Sequence, residues 1–540
     1  GWMIGFLALG ALLLASGLVA RGRIACPAEA VQIVAAPSLQ TRLHWALIAF
    51  VPSSLMLAIT TKLTTDFGSV PLVWVIPLAL FLLTFVLVFT NRPFASHATL
   101  RLGYLIGLGV LAVVFSNLLS IHVTFWSAVL TVVAFFLTAL YAHAMLYAQR
   151  PAIQHLTTFY VTISVGGALG GFFNTIIAPI LFNELHEGAI TVAIAAMLLL
   201  GRTAYPPRLA LFGTAALVVV IVAKASIISV FGTVAFGAVA VTQFVAIATA
   251  IRKIAQAHAW VLVGILVAGQ VFVDRGSPLL TDRSFFGTHK IIEWNGLRIY
   301  GNGTTTHGAQ RIVDLTAERP EPQLYHHRNG PMAQILTSAK ADASDTVGIV
   351  GLGIGALACY GQPHQSWHFY EIDAMVANIA HDPNHFTFMS RCAPDAPTHL
   401  GDARMVLAEQ ESLGFDILVL DAYSSNSLPV HLTTVEAFEI YLDHLSDDGL
   451  LLVQISNRYY DISRPLGRLA ETMGLVARIQ NYGGDKSNDP GDVGSLVVVL
   501  SRSEAGLGDL NDDPRWTPLT SDGGRVWTDD FADVLEVLYH

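Results

Sequence analysis

Ten apolar runs fill the first half of this chain and dictate most of what it can become. They cover residues 3–20, 43–61, 70–90, 102–120, 123–147, 157–181, 188–201, 208–223, 226–250 and 257–273. A helix needs about 20 apolar residues to cross the hydrocarbon of a bilayer, and most of these runs reach or approach that length. In lipid every backbone N–H and C=O must be bonded within the chain, which leaves the helix as their form. The first run has no basic stretch ahead of it, which separates it from a secretory signal. With 53% hydrophobic and only 13% charged residues among 540, the composition excludes an ordinary soluble protein.

The charges between the runs are sorted by sign. Arg21, Arg23 and Arg42, then Arg92 with Arg101, Arg150, Arg202 with Arg208, and Arg252 with Lys253 fall on alternate loops, whereas Asp66, Glu184 and Glu187 fall on the others. Loops rich in Lys and Arg stay on the cytoplasmic side, and ten crossings then carry the second half of the chain outside. Pro52, Pro71 and Pro77 interrupt the second and third runs, and SVGGALGGFFN, residues 164–174, lines small residues along one helix. Such residues let helices pack closely. Broken helices also build transporter paths, which Lys62 and Asp66 near a membrane edge would line, although snorkelling to the interface accounts for them as well.

Most acids lie beyond residue 270, and the net charge is −10. That leaves no basic footprint for nucleic acid. Cys26, Cys359 and Cys392 show no CxxC spacing, so neither a disulfide framework nor a zinc cluster is expected. The nineteen histidines are scattered, with His122, His143 and His155 near helix ends; no metal site is expected.

From Asp274 the pattern changes. Alternating residues between Asn295-Gly296 and Asn302-Gly303 predict a small antiparallel β-domain over about 284–316. PMAQILTSAK begins a helix at Pro331. Then β-runs near 347–351, 367–372, 398–400, 416–421, 449–456, 475–480 and 495–501 alternate with helical patterns, which predicts a doubly wound α/β domain. The first β-run breaks into a turn with Gly351, Gly353 and Gly355. A bare glycine turn is as often a tight corner as a nucleotide site. Here Glu371 ends the second run, Gly401-Asp402-Ala403-Arg404 follows the third, and Asp421 ends the fourth. Acids at successive strand ends mark the edge where such sheets bind ligands. An acid placed as Glu371 is takes both hydroxyls of an unphosphorylated ribose. The tail holds VWTDDFADVLEVL, expected as a final helix begun by Asp529 and Asp530.

These residues carry a resemblance. Over residues 284–500 the chain resembles the spermidine synthase (aminopropyltransferase) branch of the S-adenosylmethionine fold, and as a whole it resembles membrane-integral spermidine synthase-like proteins. The implied architecture is a multi-pass α-helical membrane bundle (1–273), a small antiparallel β-domain (284–330), a Rossmann-like α/β domain of the methyltransferase and spermidine synthase type (331–505), and a tail (506–540). The implied co-substrate is decarboxylated S-adenosylmethionine or S-adenosylmethionine, with no metal. Gly351, Gly353, Gly355, Glu371, Asp402 and Gln310 would hold it, Glu371 at the ribose and Asp402 at the adenine amino group. Asp421, in DAYSSNSLP, would be the catalytic acid beside the reacting amine, with Tyr325 helping to position it. His307 in NGTTTHGAQ, His326 in LYHHRNGP, Tyr423 and Ser424 would face the acceptor. The implied partners are a small-molecule amine and the lipid bilayer, with room for a homodimer.

Two departures matter. Soluble spermidine synthases carry an acid in the glycine turn, where this chain has Ile354, and a second one three residues after the catalytic acid, where it has Ser424. Each missing carboxylate removes a charge-assisted hydrogen bond of about 1.5–3 kcal/mol to an ammonium. Three functions therefore stand: a C3-group transferase releasing methylthioadenosine, a methyltransferase or lyase on the same fold, and a transporter or sensor with a degenerate domain. Because the donor is made in the cytosol, the chemistry places the catalytic domain on the cytoplasmic side of a bacterial inner membrane, against the loop charges.

Overall fold

The computed structural model describes residues 35–67, 74–90, 95–116, 125–198, 278–422, 429–457 and 460–538, with isolated positions elsewhere. Apart from such positions, the expected spans at 3–20, 208–223, 226–250 and 257–273 lie outside the described residues, as do Pro71, Tyr423 and Ser424.

The other spans are helices: α1 (Leu39–Phe67), α2 (Val75–Val88), α3 (His97–Ser116), α4 (Phe125–Ala148), α5 (Leu156–Phe172) and α6 (Glu187–Met197). A π-turn at Phe173–Ile177 continues α5 to Leu181. Four stretches, Leu39–Thr65, His97–Ser116, Trp126–Ala148 and Ile153–Leu181, are long and apolar enough to cross a membrane. Tyr104, Leu108, Leu111 and Phe135 fill the interior, while Leu82, Val86, Val161 and Leu169 are exposed. An outer surface of that kind suits lipid rather than water. Small residues serve close packing: an added Cβ at Gly166 or Gly170 would run into the α1 backbone at Ala46 or Phe50, and a spacing of four puts both on one face. Pro52 sits inside α1, and Pro77 in the first turn of α2, where a missing N–H is tolerated.

The β-domain is one sheet in the order β1 (Leu280–Ser284), β2 (Gly287–Trp294), β3 (Leu297–Asn302), β4 (Thr305–Arg311), antiparallel throughout. Asn295 and Gly296 both take positive φ, 49° and 76°, as a two-residue hairpin turn demands.

The α/β domain follows α7 (Pro331–Leu336). Its eight-stranded sheet runs β12-β10-β11-β9-β8-β5-β6-β7. Strands β5 (Thr346–Val350), β6 (Ser366–Glu371), β7 (Thr398–Leu400), β8 (Phe415–Leu420) and β9 (Leu445–Gln454) are parallel; β11 (Ser495–Ser501) is antiparallel between β9 and β10 (Val476–Tyr482), and β12 (Thr517–Pro518) forms an edge. All seven expected β-runs are present. The strand order reverses around β5, which is where such sheets open a binding crevice. Register aligns that edge: Val350 lies opposite both Tyr370 and Leu420, and Glu371 opposite Leu400. The residues that follow each strand therefore meet.

Two expectations are corrected. The segment from Trp527 is not a helix but a series of turns and isolated bridges. Trp527, Val534 and Val537 are buried in the sheet's core, and Arg468 binds both Asp522 and Glu536, a tethering that local helix propensity cannot outweigh. Asp529 pairs with Arg404 at 2.6 Å instead of starting a helix. In addition, Cys359 and Cys392 form a disulfide, with 5.0 Å between their Cα atoms and 33 residues between them in sequence. Short-motif arithmetic misses such a pair because the fold, not the spacing, brings the two together.

Candidate active site

Glycine geometry opens the site. Gly351 follows β5 with φ +96°, and a Cβ there would run into the backbone carbonyl of Asp421. Only glycine lets the first turn lie against the end of β8. Behind it, Glu371 at the end of β6 accepts from the Leu352 N–H at 3.0 Å and the Asp373 N–H at 2.9 Å. Each carboxylate oxygen thus spends one acceptor position on the backbone and keeps another, enough for a vicinal diol. Burial pushes this carboxyl upward, and the backbone hydrogen bonds oppose that shift.

A cavity of about 290 Å³ lies over this edge, lined among others by Gly351, Gly353, Glu371, Asp373, Asp402 and Asp421, with Tyr300, His307 and Tyr325 from the β-domain side. Asp402 caps helix α8 (Ala403–Glu409), accepting from the Met405 N–H at 3.2 Å, and its other oxygen lies 2.9 Å from His431 Nε2. Asp421 is buried, its Oδ2 2.8 Å from His326 Nε2. Burial raises the Asp421 carboxyl, with the His326 hydrogen bond and charge partly offsetting it. With the carboxylate ionised, that contact places a proton of His326 on Nε2. His326 Nδ1 is buried without a partner.

Tyr325 donates to the His307 carbonyl at 3.2 Å. Its phenol is held well above the ordinary value by burial, then by Asp421 and Tyr300, so it remains a neutral donor. Burial, reinforced by His289 and His326, lowers His307 to about 4. Its ring is therefore neutral near pH 7, and Nε2 is buried without a partner.

Sequence comparison is silent: no family model and no curated protein matches this chain. Solved structures do match. A probable spermidine synthase from Corynebacterium glutamicum ATCC 13032 is similar over 47% of this chain and 97% of its own, at 18% identity and a TM-score of 0.35. The spermidine synthase from Thermotoga maritima is similar over 43% of this chain and 75% of its own, at 17% identity and 0.33. An O-methyltransferase, TomG from Streptomyces achromogenes, in complex with SAM, is similar over 32% and 81%, at 16% identity and 0.24.

The structure brings Asp421, Tyr325, Gly351, Gly353, Glu371, Asp402 and His307 to one cavity. His326 lies behind Asp421 and is not among the lining residues. Gln310 is not among them either: its amide donates to Thr387 Oγ1 at 2.6 Å and accepts from the Thr387 N–H at 3.0 Å, stitching β4 to helix α9 of the packing layer (Phe388–Cys392). Gly355, with φ +76°, packs under Met389 of that helix. Sequence reading missed Asp373, Tyr300 and His431. Tyr300 bonds His289 Nδ1 at 2.8 Å, and His289 Nε2 lies 3.1 Å from Asp373, which also accepts from Ser284 at 2.5 Å. Burial pushes Asp373 up, but the hydrogen bonds from His289, Ser284 and the Met375 N–H outweigh it and hold the carboxyl low. The signal for Asp373 was present, as an acid two residues beyond Glu371 at the same strand end.

Proposed function

We propose that this chain is an integral-membrane transferase that moves a C3 unit from a sulfonium nucleoside, S-adenosylmethionine or its decarboxylated form, to an amine. The observation that carries the reading is the buried Asp421 carboxylate, held by His326 at the end of β8, in one cavity with a ribose-competent Glu371. The sequence resemblance supports it. The donor supplies a carbon already activated by its positive sulfur. Glu371 grips the ribose and Asp402 the base, which fixes that carbon before Asp421. Asp421 accepts the hydrogen bond of the acceptor amine, aims its lone pair, and takes its proton as the new N–C bond forms. The C–S bonding pair stays with sulfur, which departs as a neutral thioether. Tyr325 and the neutral ring of His307 orient the acceptor without adding charge.

A second reading has its own support. Ile354 is buried beneath Gly308, in a cluster with Tyr300, Phe386 and Phe388, so the turn offers no carboxylate to an ammonium. That favours an acceptor other than a diamine, methyl transfer, or cleavage without an acceptor. The nucleoside product separates methyl transfer from the other two readings, and a modified amine separates C3 transfer from cleavage. Purified full-length chain in detergent is incubated with each donor and the nucleoside identified by mass spectrometry. Methylthioadenosine is the expected product; S-adenosylhomocysteine would assign methyl transfer.

A further inference from the structure

We infer that the catalytic domain sits on the non-cytoplasmic face of the membrane, so that its donor has to be delivered there by a membrane-crossing step. The placement stands on two observations that are independent of each other and of the chemistry.

The first is where the β-domain docks, whose Tyr300 and His307 line the same cavity as the α/β domain's acids. Thr304, at the tip between β3 and β4, donates to the carbonyl of Thr65 near the end of α1 at 3.2 Å. The loop after α5 meets the same sheet: Asn183 donates to the Thr281 carbonyl at 3.1 Å, Lys290 pairs with Glu184 at 2.7 Å, and Arg283 pairs with Glu187 at 3.1 Å. Four helices, α2 to α5, separate these two docked ends. The Val75–Val88 helix, α2, is shorter than the four long stretches; counted as a crossing it makes the number even and returns the chain to the face it left, as the contacts require. Between residues 35 and 198 the chain carries Arg42, Arg101 and Arg150 at the opposite ends of these helices, with Arg92 between α2 and α3 in sequence; Lys62, Asp66, Glu184 and Glu187 lie at the docked ends. Four cations against one put the far face in the cytoplasm. This assignment needs no count of the runs beyond residue 198, yet it agrees with the ten-run count.

The second is the Cys359–Cys392 disulfide within the catalytic domain. Disulfides persist in oxidising compartments and are rare where glutathione and thioredoxin keep thiols reduced. Both observations run against the cytoplasmic placement expected from the donor's origin. The consequence for the reaction rests on the proposed function, whereas the sidedness does not. A sulfonium is a permanent cation, and charge crosses hydrocarbon at high cost. A transport reaction must therefore precede catalysis.

The test uses intact cells expressing the full chain with Cys26→Ser. Single cysteines are added either at Glu411→Cys, on the exposed surface of the catalytic domain, or at Ala98→Cys, exposed at the Arg-rich end of α3, and each is probed with a membrane-impermeant maleimide. The expected result is labelling of Glu411→Cys in intact cells and of Ala98→Cys only after permeabilisation. Acid-quenched alkylation should also find Cys359 and Cys392 oxidised. The reverse labelling order would overturn the inference, as would equal labelling of both positions in intact cells. Adding Asp421→Asn leaves this readout unchanged, so a failure of the catalytic reading and a failure of the sidedness are told apart.

Discussion

At the scale of single residues, the site rests on carboxylates with different tasks. Asp421 is expected to act on the acceptor proton and Glu371 on the donor ribose. Asp421→Asn should cut turnover by about 10²–10⁴-fold while donor affinity, followed by calorimetry, stays within a few-fold; Glu371→Gln should do the opposite, weakening binding first. Because burial raises the Asp421 carboxyl, its base form is depleted as pH falls through that elevated value, so turnover should rise with pH and then level off. His307 gives a stability test. Its folded value of about 4 lies below the ordinary 6.5, so the unfolded chain binds more protons between those values. Stability is full above about pH 6.5 and is lost on acidification toward pH 4, by on the order of 3 kcal/mol. A His307→Gln variant should show a flatter profile in chemical denaturation of the domain across that range. The acids at the strand ends were legible in the sequence because each follows a β-run directly. The dyad of Asp421 with His326 was not, since 95 residues separate the partners and tertiary packing alone brings them together.

At the scale of elements, the parallel strands and the Asn-Gly hairpin could be read from periodicity and turn chemistry. Both are local signals. The last segment could not, because its fate depends on a buried Trp527 and on the Arg468 pairs rather than on its own helical pattern. The disulfide was equally illegible. It ties the 3₁₀ turn after the glycine loop, Ala356–Tyr360, to α9, whose Met389 packs on Gly355. Its removal by Cys392→Ser should lower domain stability by about 2–4 kcal/mol and weaken donor binding more than it slows the bound enzyme. Unchanged affinity would show that the glycine turn holds itself in place.

At the scale of the whole molecule, the helical bundle and the β-domain are joined by a buried ion pair, Arg283 of β1 with Glu187, of which both side chains are largely removed from solvent. Deleting one partner leaves the other charged and buried, at a cost of about 3–5 kcal/mol. Arg283→Met should therefore destabilise the full chain in thermal inactivation, and adding Glu187→Gln should restore much of the loss; no restoration would remove the pair from the account. The proposed reaction in this cavity joins a C3 unit to an amine. It is tested most directly by parallel mass spectra of an amine panel incubated with donor and either the full chain or its Asp421→Asn variant. The prediction is one acceptor heavier by a single aminopropyl-type unit with the intact chain, matched by methylthioadenosine, and neither product with the variant. An unmodified panel with both donors intact, or the same heavier acceptor from both proteins, would contradict it.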